Sequence, residues 1–326
     1  LPLFPFAAWD LKRKLARAHK DRHYDAVISI SHCAVKNIAP PPGLRHICYC
    51  LTPVRYLWDQ YQAYFGKSKL EFLIRPIAAV LRAWDRSGSK HVDEFIAISQ
   101  FVAERIKRYY ERDAVVIYPP VDFSWLNPQE NAEKQRGPLR FVCVCALVPY
   151  KKVDEVISAF NALPYRLTIV GQGPEYARLR NLAGPNIEFV SGLSDQELAQ
   201  IYADSSAMVF VAEEDFGMST VEMLASGRPV IASNKGGSAE IVGGLPQKFL
   251  GIKEFFTIGK AVSGIDIENL EFSGILLDDI TSDSIKTAVA FLAEHPQVFK
   301  PEYCRNSARR FSIQNFCDSL CNHFSS

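Results

Sequence analysis

From Leu139 onward the chain repeats one unit, a short apolar run followed by a segment with helical spacing, and this repetition restricts its fold more than any other feature. Residues 140–147 are strand-like, and Val153, Val156, Ile157 and Phe160 follow at helical spacing. Residues 166–170 form a second strand, stopped by Gly171-Gln172-Gly173-Pro174, after which 175–183 reads as helix. A third strand at 186–190 precedes Ser194-Asp195-Gln196-Glu197, a capping-box signature opening a helix to about Ala203. Then come strand 207–211, helix 220–225, strand 229–233 and a helix opened by Gly236-Gly237-Ser238. Parallel neighbours need a crossover segment between them, so the alternation predicts an α/β protein with a doubly wound parallel sheet. Ligands of such sheets sit beyond the carboxyl ends of the strands, where this chain places Lys151, Gly171, Gly192 and Glu214.

One of these strand ends carries the chemistry. The segment Val211-Ala212-Glu213-Glu214-Asp215-Phe216-Gly217-Met218-Ser219-Thr220-Val221-Glu222 sets two carboxylates, Glu214 and Glu222, around a glycine turn and a helix start. The turn Phe216-Gly217-Met218-Ser219 aims backbone N–H groups outward, and the helix dipole adds to their preference for an anion, phosphate above all. Glu214 before the turn and Glu222 one helical turn beyond it can accept hydrogen bonds from hydroxyl groups on either side of that phosphate. A sugar nucleotide has this layout: sugar hydroxyls, diphosphate, ribose hydroxyls. The plainer alternative is a helix whose acidic residues only complement its own positive end.

The ordered motifs then show a resemblance. Leu147-Val148-Pro149-Tyr150-Lys151-Lys152-Val153-Asp154, Val170 to Pro174, Ser191-Gly192-Leu193-Ser194-Asp195 and Glu214 to Pro229 resemble the donor-binding domain of retaining GT-B glycosyltransferases. By pattern they look like the WbaZ-like mannosyltransferases of glycosyltransferase family 4. Ser31-His32, the run from His46 to Asp59, Trp84-Asp85-Arg86 and Tyr118-Pro119-Pro120-Val121-Asp122 extend the likeness over nearly the whole chain. The resemblance implies two Rossmann-like domains, the first missing its opening βα units. These are an acceptor-side domain at 1–137, a donor-binding domain at 138–308 and a C-terminal helix at 309–326 crossing back to the first. It also implies that Glu214 contacts the donor hexose, Glu222 the ribose hydroxyls and Lys151 the diphosphate. The N–H groups of Phe216, Gly217, Met218, Ser219 and Thr220 would hold hexose and phosphate, and Gly192-Leu193 would edge the base. Lys152 is a further donor-side cation, or a solvated one.

Two positions depart from the family pattern. Ala146 stands where an Arg usually helps neutralise the leaving diphosphate, and Leu51 where a His usually touches the transferred sugar. Lys151, with Lys152 or Arg55, would have to supply the missing charge. The chain opens Leu1-Pro2-Leu3-Phe4-Pro5-Phe6, and the first strand of such a domain with its Gly-rich loop has no counterpart, which reads as a fragment. Residues 243–272 also form a longer connection than the pattern carries.

The resemblance implies transfer without a covalent side-chain nucleophile, resting on positioning and electrostatics, and the sequence agrees only by omission: no Gly-x-Ser-x-Gly elbow, Cys/His pairing or carboxylate pair across an anomeric carbon is evident. Lys151 and the helix N–H groups would stabilise charge on the leaving diphosphate while Glu214 fixes the sugar. No metal and no cofactor are expected, since amides and a lysine can hold a nucleotide without Mg²⁺. His32 and Arg55, near strand ends of the first domain, are the acceptor-side candidates; His32 reads equally as a turn histidine.

At 326 residues and 48% hydrophobic content the chain can bury two cores. Its net charge of +1 is unevenly divided: 19 Lys and Arg stand against 10 Asp and Glu through Arg112, and 18 against 26 beyond it. Trp9 to Arg17 and Lys69 to Arg75 mix apolar and basic residues, as a surface touching anionic lipid does, or as ordinary solvated helices do. No motif of a nucleic-acid module is present. Eight Cys occur without Cys-x-x-Cys spacing, and Cys48/Cys50 and Cys143/Cys145 read as small buried strand residues, which suits a reducing cytosol. No run approaches the ~18 apolar residues of a membrane span. The expected protein is cytoplasmic, peripheral on the inner face of the cell membrane, and moves a hexose from a nucleotide sugar such as GDP-mannose to a glycan or polyprenyl-linked acceptor. The alternatives are a catalytically inactive nucleotide-sugar-binding subunit and a GT-B-fold sugar-nucleotide epimerase.

Overall fold

The computed structural model describes residues 3–66, 70–126, 139–250 and 271–325. It divides into two compact units, Leu1–Pro119 and Pro120–Ser326. The domain boundary expected near residue 137, the polar stretch 127–137, Lys69 and most of the long connection 243–272 lie outside the described residues.

The first unit holds strands β1 (Ala26–Ser31), β2 (Arg45–Cys50), β3 (Glu94–Ala97) and β4 (Ala114–Val116) in one parallel sheet, ordered as in the chain. In β2 the five residues from His46 to Cys50 are all buried, the pattern of a strand covered on both faces. Edge strand β1 differs: Ser29 and Ser31 are buried while Ile28 and Ile30 face outward. Helix Glu71–Gly88 lays Ala78 and Leu81 on a cluster with Val54, Leu57 and Tyr61.

Among the described residues the second unit holds seven parallel strands: β5 (Arg140–Val144), β6 (Arg166–Val170), β7 (Ile187–Val190), β8 (Ala207–Phe210), β9 (Val230–Ser233), β10 (Gly244–Pro246) and β11 (Gly274–Leu277). Their order across the sheet is β10-β11-β9-β8-β5-β6-β7. Helices Val153–Asn161, Tyr176–Leu182, Asp195–Asp204, Met218–Ala225 and Gly237–Ile241 alternate with the strands as the periodicity requires. The capping box forms in full: Glu197 N–H donates to Ser194 Oγ at 3.3 Å, and Ser194 N–H donates to Glu197 Oε2 at 2.7 Å. All four residues of β8 and all four of β9 are buried, so these strands show no polar alternation.

One expectation overshoots. The strand anticipated over 140–147 ends at Val144; the Cys145 and Leu147 N–H groups still donate to the Val170 and Gln172 carbonyls at 3.1 and 2.8 Å, but Val148 N–H then turns back to the Ala146 carbonyl at 3.0 Å and Pro149 opens a short 3-10 turn. That early stop matters for the site, since Lys151 closes the turn.

Candidate functional site

Strand β5 is the switch point of the second sheet: the chain proceeds from it to β6 on one side and returns to β8 on the other. Strands β5 and β6 pair over five residues, whereas β5 and β8 pair only at Phe141↔Ala207 and Val142↔Met208. Beyond Met208 the two strands no longer pair, and the carboxyl ends of strands at such a switch point are where sheets of this topology bind ligands. The Ser219 hydroxyl donates to the Val144 carbonyl at the end of β5 at 3.3 Å.

The loops leaving β5 and β8 bring Lys151 and Glu214 together. Lys151 Nζ forms an ion pair with Glu214 Oε1, although the two residues are 63 positions apart. Only 10% of the Lys151 and 16% of the Glu214 side chain is exposed. The ammonium also stands 5.1 Å from the Phe210 ring centroid and 5.5 Å from that of Tyr150. Two charges so far out of water gain little net stability from each other, which leaves the lysine available to a better anion.

Beside the pair, Gly217 (φ +110°) starts helix Met218–Ala225 without a side-chain cap. The left-handed backbone there, and the 2.6 Å at which a Cβ would meet Ser238 Oγ, both require glycine. Thr220 N–H already donates to the Gly217 carbonyl at 3.0 Å, which withdraws it from the expected set of anion-binding amides. The buried Thr220 hydroxyl shares a hydrogen bond with Ser238 at 3.4 Å. Phe216 is buried against Phe311, edge to face at 5.3 Å, while Met218 is exposed.

The glycine pair read only as a helix opening also grips the Glu214 loop. Gly237 N–H donates to the Glu214 carbonyl at 2.7 Å, and a Cβ on Gly236 (φ +86°) would stand 2.7 Å from that same oxygen. The Gly-Gly dipeptide was the signal for this close approach.

Glu222 is half-buried and accepts from the Tyr202 hydroxyl at 2.9 Å, a partner sequence reasoning missed. Burial pushes the Glu222 carboxyl above its ordinary value, Asp195 adds to this, and the Tyr202 hydrogen bond opposes it. Burial and the neighbouring carboxylate push the Tyr202 phenol well up in turn, so it stays a donor.

Of the other expected residues, Lys152 is exposed in a left-handed conformation before helix Val153–Asn161. Gly192 lies open beyond β7 with Leu193 half-buried beside it, and Ala146 is exposed at the end of β5. His32 and Arg55 belong to the first unit. There Leu51 N–H donates to the Ser31 carbonyl at 2.8 Å, so the loops after β1 and β2 leave the sheet side by side. His32 is exposed at that edge, and the Arg55 carbonyl accepts from Trp58 and Gln60. Among the described residues no group of three or more His, Cys, Asp or Glu could hold a metal ion.

Residues 1–125 match the model of Glycosyltransferase Family 4, and residues 127–253 that of Glycosyl transferases group 1. The two matches follow one another along the chain, the first over the first unit and the start of the second, the other within the second. It is 31% identical to an uncharacterized glycosyltransferase of Methanocaldococcus jannaschii, over 49% of this chain and 46% of the relative. It is 25% identical to the D-rhamnosyltransferase WbpZ of Pseudomonas aeruginosa, over 68% of this chain and 55% of that one. A GDP-mannose-dependent alpha-mannosyltransferase of Mycobacterium tuberculosis is 38% identical over 97 residues, 29% of this chain and 25% of the relative. The chain thus spans about half the length of the first two relatives. Among solved structures, sucrose-phosphate synthase from Thermosynechococcus elongatus superposes with a TM-score of 0.70 at 16% identity, over 99% of this chain and 78% of that one. HepE of Anabaena in complex with UDP does so with 0.69 at 15%, over 97% and 82%. These likenesses establish the GT-B fold.

Proposed function

We propose that the chain is the donor-binding and transferring part of a retaining hexosyltransferase that takes mannose from GDP-mannose and adds it to a growing, lipid-linked glycan on the cytoplasmic side of a membrane. The observation that carries the reading is the convergence of Lys151 and Glu214 at the switch point, beside the uncapped start of the helix that bears Glu222. Lys151 supplies a mobile charge to the diphosphate, and the Met218 and Ser219 amides meet it at the helix end. Glu214, released from Lys151, accepts from the hexose, and Glu222 from the ribose; each charge-assisted bond contributes ~1.5–3 kcal/mol. The bond from the anomeric carbon to the diphosphate oxygen breaks as the acceptor oxygen bonds to that carbon on the same face. The acceptor proton passes to the departing diphosphate oxygen. Arg55 and His32 are proposed on the acceptor side, and the reaction is proposed to run without metal. GDP-mannose is favoured by relatives whose names state that donor.

The second reading, a nucleotide-sugar-binding subunit without turnover, is favoured by Ala146 and Leu51, which lack the polar groups a transferase of this pattern carries. The test is to incubate the chain with GDP-mannose, a chelator and a polyprenyl-diphosphate-linked glycan, and to assign the product anomer by NMR. Transfer with the α-configuration kept supports the first reading. GDP binding without transfer moves the second ahead, and an inverted product removes retention.

A further inference from the structure

Helix Glu71–Gly88 is apolar on both sides. Its inner face, Ala78 and Leu81 flanked by Ile74, packs on the first unit's core cluster. Its outer face presents Phe72 (69% exposed), Leu73 (52%), Ile77 (52%) and Val80 (69%), with Ala79 and Ala83 also exposed between and beyond them. A lone exposed leucine needs no explanation, but four large apolar side chains along three turns of one helix face do.

The patch continues past the helix. The cluster beneath it includes Tyr56, whose ring lies 6.4 Å from Phe4 at the start of helix Phe4–Arg22 and 6.4 Å from the exposed Tyr64. Helix Phe4–Arg22 exposes Phe6 and Trp9, then Lys12, Arg13, Lys14 and Arg17. Arg13 stacks over Trp9 at 4.7 Å, and Asp10, the acid nearest this run, is ion-paired to Lys14 at 2.7 Å. Arg75 is exposed within the patch itself.

We infer that this face docks on an anionic lipid surface, with Phe72, Leu73, Ile77 and Val80 entering the acyl boundary and the flanking cations meeting headgroups. Three observations choose this occupant. The rim is cationic, and the first 112 residues carry 19 Lys and Arg against 10 Asp and Glu, so a second copy seated by two-fold symmetry would set like charges opposite each other. The apolar side chains offer no hydrogen-bonding group to give a protein partner register, which a fluid apolar layer does not need. Trp9 and Tyr64, apolar bodies with a polar edge, are exposed next to the patch, as interfacial aromatics are. Among the described residues no helix is long and apolar enough to cross a membrane, so the face lies on the bilayer. The inference rests on the first unit's surface alone and not on the donor reading.

The experiment is co-sedimentation of the whole chain, wild type and Ile77→Asp/Val80→Asp, with vesicles of phosphatidylcholine alone and with one-third phosphatidylglycerol, at low and high salt. Both substituted side chains are exposed, and an unchanged circular dichroism spectrum and melting temperature establish that the variant is folded. The expected result is binding to the anionic vesicles only, weakened by salt, accompanied by a blue shift of tryptophan emission, and reduced at least ~10-fold in the double variant. Equal binding by wild type and variant overturns the inference. So does binding that ignores phosphatidylglycerol, absence of binding to any vesicle, or a wild-type dimer in light scattering that the variant abolishes. Nucleotide affinity measured on the same samples reports on the donor site separately.

Discussion

Glu222 keeps a carboxylate where burial disfavours charge, and the sign of the resulting pH dependence follows directly. Its folded value lies above the ordinary 4.5, so the folded state holds its proton more tightly than the unfolded state. Below 4.5 both states are protonated and the site costs nothing; as pH rises through the folded value, stability is progressively lost. Glu222→Gln, which can still accept from Tyr202, is therefore expected to raise the neutral-pH melting temperature of the unliganded chain. The gain should vanish toward pH 4 in a melting series, and the same variant should bind donor more weakly. A carboxylate that costs stability at rest and contributes on binding is the expected trade at a functional site.

At the scale of elements, helix Glu71–Gly88 is tied down by one buried carboxylate. Asp85 accepts from Lys36 Nζ at 2.7 Å, from Trp58 Nε1 at 2.9 Å and from the Tyr110 hydroxyl at 2.9 Å, and both Lys36 and Asp85 are fully buried. Removing one partner leaves the other charge uncompensated, so Asp85→Ala is expected to cost ~3–5 kcal/mol in urea unfolding, and adding Lys36→Met should recover most of it. A double variant no better than the single would contradict this account. None of this was legible in the sequence, because Lys36 and Asp85 lie 49 residues apart and Lys36 carries no motif. The same holds for Lys151 with Glu214 and for Tyr202 with Glu222: each residue sits on an element whose period or turn chemistry can be read, but their pairing depends on strand order. The elements of the second unit were legible because β-branched runs, the Ser194–Glu197 box and the glycine turns agree locally with the fold. The end of β5 was not, since apolar residues continue through Leu147, past Val144 where the strand ends.

At the scale of the molecule, two features divide the labour. The basic character lies in the first unit, with the apolar helix face; the uncapped helix start, the lysine and both carboxylates lie in the second. The doubly wound topology explains why the proposed donor site draws on residues 139–250 alone: Lys151 and Glu214 lie on the loops leaving β5 and β8, and Glu222 on the helix that follows. The central claim is that this site binds a nucleoside diphosphate through Lys151. It is tested most directly by calorimetric titration of GDP, UDP, ADP and their sugar conjugates, without metal, into the wild-type chain and into Lys151→Ala and Glu222→Ala. The account predicts that GDP and GDP-mannose bind, and that each substitution weakens the sugar nucleotide by roughly 10- to 100-fold, as loss of one charge-assisted bond of ~1.5–3 kcal/mol requires. If no nucleotide binds, or if Lys151→Ala binds as tightly as the wild type, the claim is contradicted.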